Sequence, residues 1–119
     1  MSFGIYKENR AGVDFYVLKN TNLNEMVELV PEVGGAVNRI VLNIGGMPTD
    51  LLWPDRDNEV REHYKHKSRM LFPFNDAIFQ GKYNFNKKKY LLDTSKREDG
   101  NAKHGFLKFE RLNIVDQNL

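Results

Sequence analysis

Residues 37–44, VNRIVLNI, decide the fold class of this chain. Their side chains divide into two alternating sets: Val37, Arg39, Val41 and Asn43 against Asn38, Ile40, Leu42 and Ile44. An alternation with a period of two is typical of a half-buried β-strand and differs from the 3.6-residue period of a helix. Gly34-Gly35 before the stretch permits a tight reversal, and Gly45-Gly46 closes it. The stretch therefore predicts a strand between two turns.

The chain before this stretch carries two further strand-like runs. Residues 13–18 form the first run, and residues 19–24 after it contain three Asn, which suit turn positions with a left-handed backbone. Residues 26–30 form the second run, with one apolar and one mixed face, and Pro31 ends it. Both runs favour strands.

The chain after the stretch continues as short apolar runs separated by turn residues. Residues 49–53 predict a short strand ended by Pro54. Residues 55–67 are polar and predict either an exposed loop or a single short helix. Residues 70–74 predict a buried strand that proline stops.

The last third of the chain begins with a predicted hairpin. Residues 82–85 and 89–92 favour its two strands, with a turn near Asn86-Lys87. Residues 93–103 are polar, and residues 106–115 alternate again and predict a last strand. No stretch keeps a period of 3.6, so the predicted fold class is all-β.

The aromatic side chains of these runs are interpreted as core. One face of the hairpin can hold Tyr83, Phe85, Tyr90 and Leu92 together. Trp53 follows Leu51 and Leu52 at the end of a predicted strand, where stacking on a sugar is the less common role.

Composition and charge limit the class of protein. With 119 residues, of which 40% are hydrophobic and 29% charged, the chain matches a single soluble globular domain. No apolar run approaches the roughly 20 residues of a membrane helix, and a net charge of +2 is too small to indicate nucleic acid. The absence of Cys suits a reducing, cytoplasmic location. We expect neither a membrane nor a nucleic-acid partner.

Five motifs, in order along the chain, resemble the aldose 1-epimerase (galactose mutarotase) family. They are VPEVGGAV at residues 30–37, Leu51-Leu52-Trp53, Leu71-Phe72-Pro73-Phe74, Gly81-Lys82-Tyr83 with its hairpin, and Asn101-Ala102-Lys103-His104-Gly105. Each motif alone is weak, but their order and spacing agree with the family over nearly the whole chain.

The resemblance implies a galactose mutarotase-like β-supersandwich, of which residues 1–119 form the N-terminal portion as a single β-sandwich domain. It implies an isomerase that interconverts the α and β anomers of a hexose by acid/base catalysis, without metal or cofactor. The family's Glu general base and second His lie further along the sequence than Leu119. The chain therefore carries part of a catalytic site.

The His of the last motif lies in the family's active site and contacts the sugar, which implies a catalytic role for His104. A neutral imidazole there hydrogen-bonds a ring or hydroxyl oxygen and shares in proton transfer. The alternative is an exposed loop histidine. Asn101, from the same motif, is expected to bind substrate.

The family's Arg position falls on Ala77, which cannot donate the forked hydrogen bonds of a guanidinium. Three explanations remain open: Arg69 reaches the same space, Asn75 and Asp76 bind the sugar hydroxyls instead, or the ligand has changed. Arg69 can equally be a surface charge, and Asn75-Asp76 can equally cap a turn.

His63 and His66, together with His104, raise the alternative of a metal site. Lys65 and Lys67 flank these histidines and oppose a cation, so we predict no metal site.

Three functions from different classes remain open. The first is an enzyme, a hexose mutarotase or a relative acting on a related or phosphorylated sugar, complete only with a C-terminal portion. The second is a non-catalytic sugar-binding protein, which Ala77 favours. The third is a fragment or structural subunit, because a last strand at residues 106–115 leaves an open sheet edge that pairs with the remaining portion or with a second copy.

Overall fold

The computed structural model describes residues 2–62, 68–95 and 99–118. The chain forms two compact units, the first of Met1–Met70 with Lys108–Leu119 and the second of Leu71–Leu107. The first unit contains a five-stranded sheet, and the second contains two sheets of two strands each. All pairs of these strands are antiparallel. The all-β prediction is confirmed, whereas the single domain over residues 1–119 stays a prediction.

The first unit is a meander whose strands lie side by side in sequence order. Its strands are β1 Phe3–Arg10, β2 Val13–Asn20, β3 Glu25–Val30, β4 Ala36–Ile44 and β5 Met47–Asp50. β4 contains the alternating stretch that predicted it. Left-handed backbone occurs at Asn24 in the Asn-rich turn and at Gly34 and Gly35 before β4, which confirms both predicted reversals.

A β-bulge between β3 and β4 turns a polar side chain inward. Glu28 pairs with Arg39, the register then shifts, and Asn38 is left as the extra residue. Asn38 is buried, donates from Nδ2 to Oε1 of Glu28 at 2.8 Å and accepts at Oδ1 from the backbone N–H of Asp55 at 3.1 Å. The bulge thereby ties the sheet to the loop that follows β5.

The core of the first unit packs against the sheet near the start of β2. Its members are apolar and nearly fully buried: Val13, Phe15, Val30, Val33, Ala36 and Val60. Val13 and Phe15 share one face because strand side chains alternate, and Val60 brings the loop after β5 onto that face. Burial of one such side chain stabilises the fold by roughly 1.5–3 kcal/mol.

The second unit contains β6 Ala77–Ile78, β7 Lys82–Phe85, β8 Lys88–Leu91 and β9 Ala102–Lys103. β6 pairs with β9, and β7 pairs with β8 as the predicted hairpin. Asn86 and Lys87 are left-handed and form its turn, as predicted, although β8 begins one residue earlier than expected. Phe74 and Phe106 meet edge to face with ring centroids 5.7 Å apart.

Three predicted strands differ from the structure. The strand expected at residues 49–53 is β5 and ends at Asp50. Residues 70–74 form only one isolated bridge, from Phe72 to Gly105, because Pro73 has no N–H to donate to a strand ladder. These residues are also mostly exposed instead of buried. Residues 106–115 contain a 3-10 turn at Leu107–Phe109 and no strand, so the sheet edge predicted there is wrong.

The predicted core aromatics lie mostly on the surface. Trp53 is 82% exposed, and Phe85 is 62% exposed. Tyr83 and Tyr90 stack on each other across the hairpin, with centroids 5.0 Å apart, instead of entering a core. The interpretation of Trp53 and the hairpin face as core is therefore wrong.

The segment after β5 has turns and no helix as far as residue 62, which agrees with the exposed-loop alternative except that Asp55 and Val60 are buried. Within residues 2–62, 68–95 and 99–118, no helix has the length and apolar character needed to cross a membrane.

Candidate functional site

The short pair β6–β9 places the predicted site residues of the second unit. Its strands run in opposite directions, so the residue before β6 lies beside the residue after β9. Asp76 precedes β6 and His104 follows β9, and the two meet at one end of the pair. Asn101 precedes β9 and lies at the opposite end.

Asp76 and His104 are joined by two hydrogen bonds. The backbone N–H of His104 donates to the carbonyl oxygen of Asp76 at 2.8 Å. The backbone N–H of Asp76 donates to Nδ1 of the His104 ring at 3.1 Å. A ring nitrogen that accepts a hydrogen bond carries no proton, so neutral His104 has its ring proton on Nε2. The imidazole is thereby held as a hydrogen-bond donor at Nε2.

Both residues have left-handed backbone, with φ of 58° at Asp76 and at His104. This conformation is uncommon outside glycine and costs on the order of 1 kcal/mol or more per residue. The two hydrogen bonds between them offset this cost. Strained backbone of this kind is a feature of ligand-binding and catalytic sites.

Gly105 allows the chain after His104 to lie directly against Phe72. Its φ is 65°, and an added Cβ would lie 2.0 Å from the carbonyl oxygen of Phe72. The same carbonyl accepts from the backbone N–H of Phe106 at 2.7 Å. Only glycine meets both requirements, which explains the Gly of the His-Gly motif.

Asn101 stabilises the opposite end of the pair. Its Oδ1 accepts from the backbone N–H of Gln80 at 2.8 Å, and its own N–H donates to Oδ1 of Asp99 at 3.1 Å. Gln80 has a left-handed φ of 50°. Asn101 therefore has a structural role at this turn, and a substrate contact from it requires Nδ2.

The structure brings three predicted residues together and separates the fourth. Asn75 and Asp76 are exposed beside the half-buried His104. Asn101 is separated from His104 by the two residues of β9. Asp76 lies at a bend before β6, and the alternative that Asn75-Asp76 cap a turn stays a prediction.

Ala77, which occupies the family's Arg position, has Lys103 directly across the pair. Directly opposed side chains have Cβ atoms about 4.5–5.5 Å apart, so the Lys103 side chain starts beside Ala77. Lys103 forms an ion pair with Asp99. The Lys103 ammonium, and after it the backbone N–H of Asn101, holds the pKa of Asp99 below its ordinary value. Sequence analysis did not identify Lys103, because a two-residue strand pair leaves no periodic signal.

Arg69 belongs to the first unit, and its side chain is fully buried. Its Nη2 donates to Oδ2 of Asp55 at 2.9 Å and to the carbonyl oxygen of Val60 at 2.7 Å. Burial lowers the pKa of the Arg69 guanidinium, and Asp55 opposes that shift. The surface-charge alternative is therefore wrong. The sugar contact stays a prediction, while the ion pair gives Arg69 a structural role.

Metal-binding side chains do not gather in the described part of the chain. No group of three or more His, Asp or Glu residues suited to a metal ion occurs there. The pair His63 and His66, which raised the metal alternative, lies outside the described residues.

Comparisons with known proteins bear on the fold. No protein-family model and no curated protein matches the chain. Among solved structures, the chain is similar to a galactose mutarotase-like protein from Clostridium acetobutylicum, with a TM-score of 0.72 and 18% sequence identity. The match covers 97% of this chain and 36% of that chain, so this chain spans 36% of that protein's length. The chain therefore has the all-β fold of part of a galactose mutarotase-like protein, which confirms the fold that the family resemblance predicted.

Proposed function

We propose that this chain forms part of a carbohydrate-binding protein of the aldose 1-epimerase type, with a hexose as ligand. Asn75, Asp76 and His104 bind the sugar at their shared end of β6–β9. The galactose mutarotase-like fold of the solved neighbour supports this class of ligand.

The observation that carries the proposal is the pair of hydrogen bonds between Asp76 and His104. Because Nδ1 accepts from the backbone, Nε2 donates, and a donor with a fixed direction suits the ring oxygen or a hydroxyl of a pyranose. The exposed carboxylate of Asp76 and the amide of Asn75 supply an acceptor and a further donor beside it.

Anomer interconversion needs an acid at the ring oxygen and a base at the anomeric hydroxyl. His104, with its proton on Nε2, donates a hydrogen bond to the ring oxygen. The family resemblance assigns no residue of this chain to the Glu base, so we assign isomerase activity to a site that contains such a base and sugar binding to this chain. A cytoplasmic location agrees with the absence of Cys and belongs to the same proposal.

Two observations favour the alternatives. Ala77 in place of a guanidinium favours a non-catalytic sugar-binding relative, with Lys103 directly opposite Ala77 in the strand pair. An aliphatic row of Ile5, Leu18, Val27 and Ile40 crosses β1 to β4 on one face and favours pairing with the remaining portion or with a second copy.

The proposal is tested by NMR titration of the ¹⁵N-labelled 119-residue chain with D-galactose and D-glucose, comparing His104→Asn with His104→Ala. Asparagine tolerates left-handed backbone, and its Oδ1 can accept from Asp76, but its Nδ2 donor is bonded to Cγ and does not reach the position of Nε2. We expect sugar-dependent shifts at Asp76, His104 and Gly105 in the natural chain, and their loss in a folded His104→Asn variant. Equal binding by His104→Asn would contradict the role of Nε2.

Polarimetry separates binding from catalysis. The chain alone is expected to bind without increasing the rate of mutarotation above that of buffer, because it lacks the family's base. An increase that His104→Asn abolishes would show instead that the chain contains its own base.

A further inference from the structure

The sheet of the first unit carries a groove of about 450 Å³ that the proposed hexose site does not include. Small-molecule sites occupy about 300–1,000 Å³, so the groove has room for one sugar ring. Its lining includes Tyr6, Arg10, Val17, Lys19, Glu28 and Arg39.

The strand register determines the form of this groove. Tyr6 pairs with Val17, Val17 with Glu28 and Glu28 with Arg39, so these side chains form one row across β1 to β4 on the same face. Neighbouring strands are about 4.8 Å apart, so Tyr6 and Glu28 are separated by about 10 Å. The small, buried Val17 between them forms the floor.

The Tyr6 ring lies directly on the strand backbone. A Cβ added at Gly4 would be 2.6 Å from the Tyr6 hydroxyl oxygen and 2.7 Å from Cζ, so the ring occupies the space that a side chain would fill. A glycine within a strand marks such a close approach. The ring remains 48% exposed and faces the groove as an aromatic platform.

The polar groups of the groove are held in place by ion pairs. Arg39 donates from Nε and Nη2 to the two carboxylate oxygens of Asp50, at 2.6 and 2.7 Å. Arg10 donates to the buried carboxylate of Glu28 and lies over the Phe15 ring, 3.8 Å from its centroid. Side chains fixed in this way lose little further freedom when a ligand binds.

The charges of the groove favour a neutral ligand. Arg10, Lys19 and Arg39 face the carboxylates of Glu8 and Glu28, which line the groove, and those of Asp50 and Asp57, which pair with Arg39 and Arg10, so the groove has no excess of cations. An anion such as phosphate would need an excess of cations. An aromatic platform beside charged hydrogen-bonding groups suits a ring with one apolar face and several hydroxyls.

We propose that this groove is a second carbohydrate-binding site, in which a neutral pyranose stacks on Tyr6 and its hydroxyls contact Lys19 and the guanidinium groups of Arg10 and Arg39. It contains no residue of the β6–β9 site and does not depend on the function proposed for that site.

The test is an NMR titration of the ¹⁵N-labelled 119-residue chain with methyl β-D-galactopyranoside and methyl α-D-glucopyranoside, up to about 50 mM. The methyl group locks each ring closed, so neither probe undergoes anomer exchange. We expect shifts at the amides of Gly4 and Lys19, a dissociation constant raised about tenfold by Tyr6→Ala, and one nearly unchanged by Tyr6→Phe, which keeps the ring.

Further variants separate this proposal from the hexose site. Lys19→Ala should weaken binding while keeping the Tyr6 ring. This variant tests the groove if Tyr6→Ala does not fold. His104→Asn should leave the shifts at Gly4 and Lys19 unchanged. Shifts confined to the second unit, equal affinity in Tyr6→Ala or in Lys19→Ala, or no response at Gly4 and Lys19 would overturn the groove proposal. The proposed hexose site would be contradicted by a different result, the absence of D-galactose-dependent shifts at Gly105.

Discussion

Three residues beside the β6–β9 pair, Asp76, Gln80 and His104, have left-handed backbone, and each has a hydrogen-bond partner across the pair. Asp76 and His104 stabilise each other through two hydrogen bonds, and Gln80 is stabilised by Oδ1 of Asn101. The Asn-x-x-His spacing follows from this geometry, since the two residues of β9 separate one stabilising side chain from the other. The motif therefore has a structural reason that is independent of any ligand.

Gly105→Ala is predicted to destabilise the second unit by about 3 kcal/mol. The alanine would have a left-handed backbone, and its Cβ would clash with the carbonyl oxygen of Phe72. Gly100→Ala is the matched control, since Gly100 has a φ of 69° and no atom within 4 Å of the added Cβ. The control should cost about 1 kcal/mol. Urea unfolding followed by NMR measures both variants, and equal costs would contradict the close contact.

Asn38→Ala is predicted to cost about 1–3 kcal/mol, because it leaves Oε1 of the buried Glu28 and the N–H of Asp55 without this partner. Asn9→Ala is the control, since Asn9 hydrogen-bonds Asp14 on the surface. Chemical denaturation should show a much smaller effect for the control, within about 0.5 kcal/mol. A small effect for Asn38→Ala would mean that the bulge does not need its side chain.

Between β4 and β5, the Arg39 guanidinium holds the pKa of Asp50 below its ordinary value, mainly through hydrogen bonding. The folded pKa is the lower one, so the stabilisation is complete above the ordinary carboxyl pKa and is lost as the pH falls through the lowered value. Both side chains are more than a third exposed, so Asp50→Asn should cost only about 0.5 kcal/mol at neutral pH. Urea denaturation at pH 7 and near pH 2 should show this difference disappearing in acid. A difference that persists there would exclude the ion pair as its cause.

Strands with clear alternation and turn residues at both ends could be predicted from the sequence. This applies to β2, β3, β4 and the β7–β8 hairpin. β1 could not be predicted from the sequence, because as an edge strand it is mostly exposed and its pattern mixes apolar and charged residues on both faces. Residues 106–115 alternate without forming a strand, because a 3-10 turn at Leu107–Phe109 buries Lys108 there instead.

The candidate site could be predicted only where a motif marked it. Asn75, Asp76 and His104 came from the family resemblance, and the structure brings them together. The position of Lys103 opposite Ala77 depends on the two-residue pairing of β6 with β9. The burial of Arg69 depends on Asp55, which lies 14 residues earlier in a loop. Neither long-range contact leaves a periodic trace in the sequence.

At the scale of the whole molecule, the sheet of the first unit has two chemically different faces. One face carries the groove of Tyr6, Glu28 and Arg39, which has no excess of cations. The opposite face carries the aliphatic row of Ile5, Leu18, Val27 and Ile40, in which Leu18 is 42% exposed. Apolar sheet faces pack against a second sheet at about 10 Å, so the aliphatic row is the face suited to such a contact.

The last prediction is that the 119-residue chain associates with a second copy through the aliphatic row. Sedimentation velocity between about 10 and 500 μM should show the sedimentation coefficient rising with concentration, since dissociation constants in this range are typical of modest apolar contacts. Leu18→Lys should restore a monomer, because a buried ammonium without a partner is costly. Glu8→Gln raises the net charge by the same amount on the opposite face, and it should leave association unchanged. Equal weakening by both variants would identify net charge as the cause, and a monomer throughout would mean that the row needs a different partner to cover it.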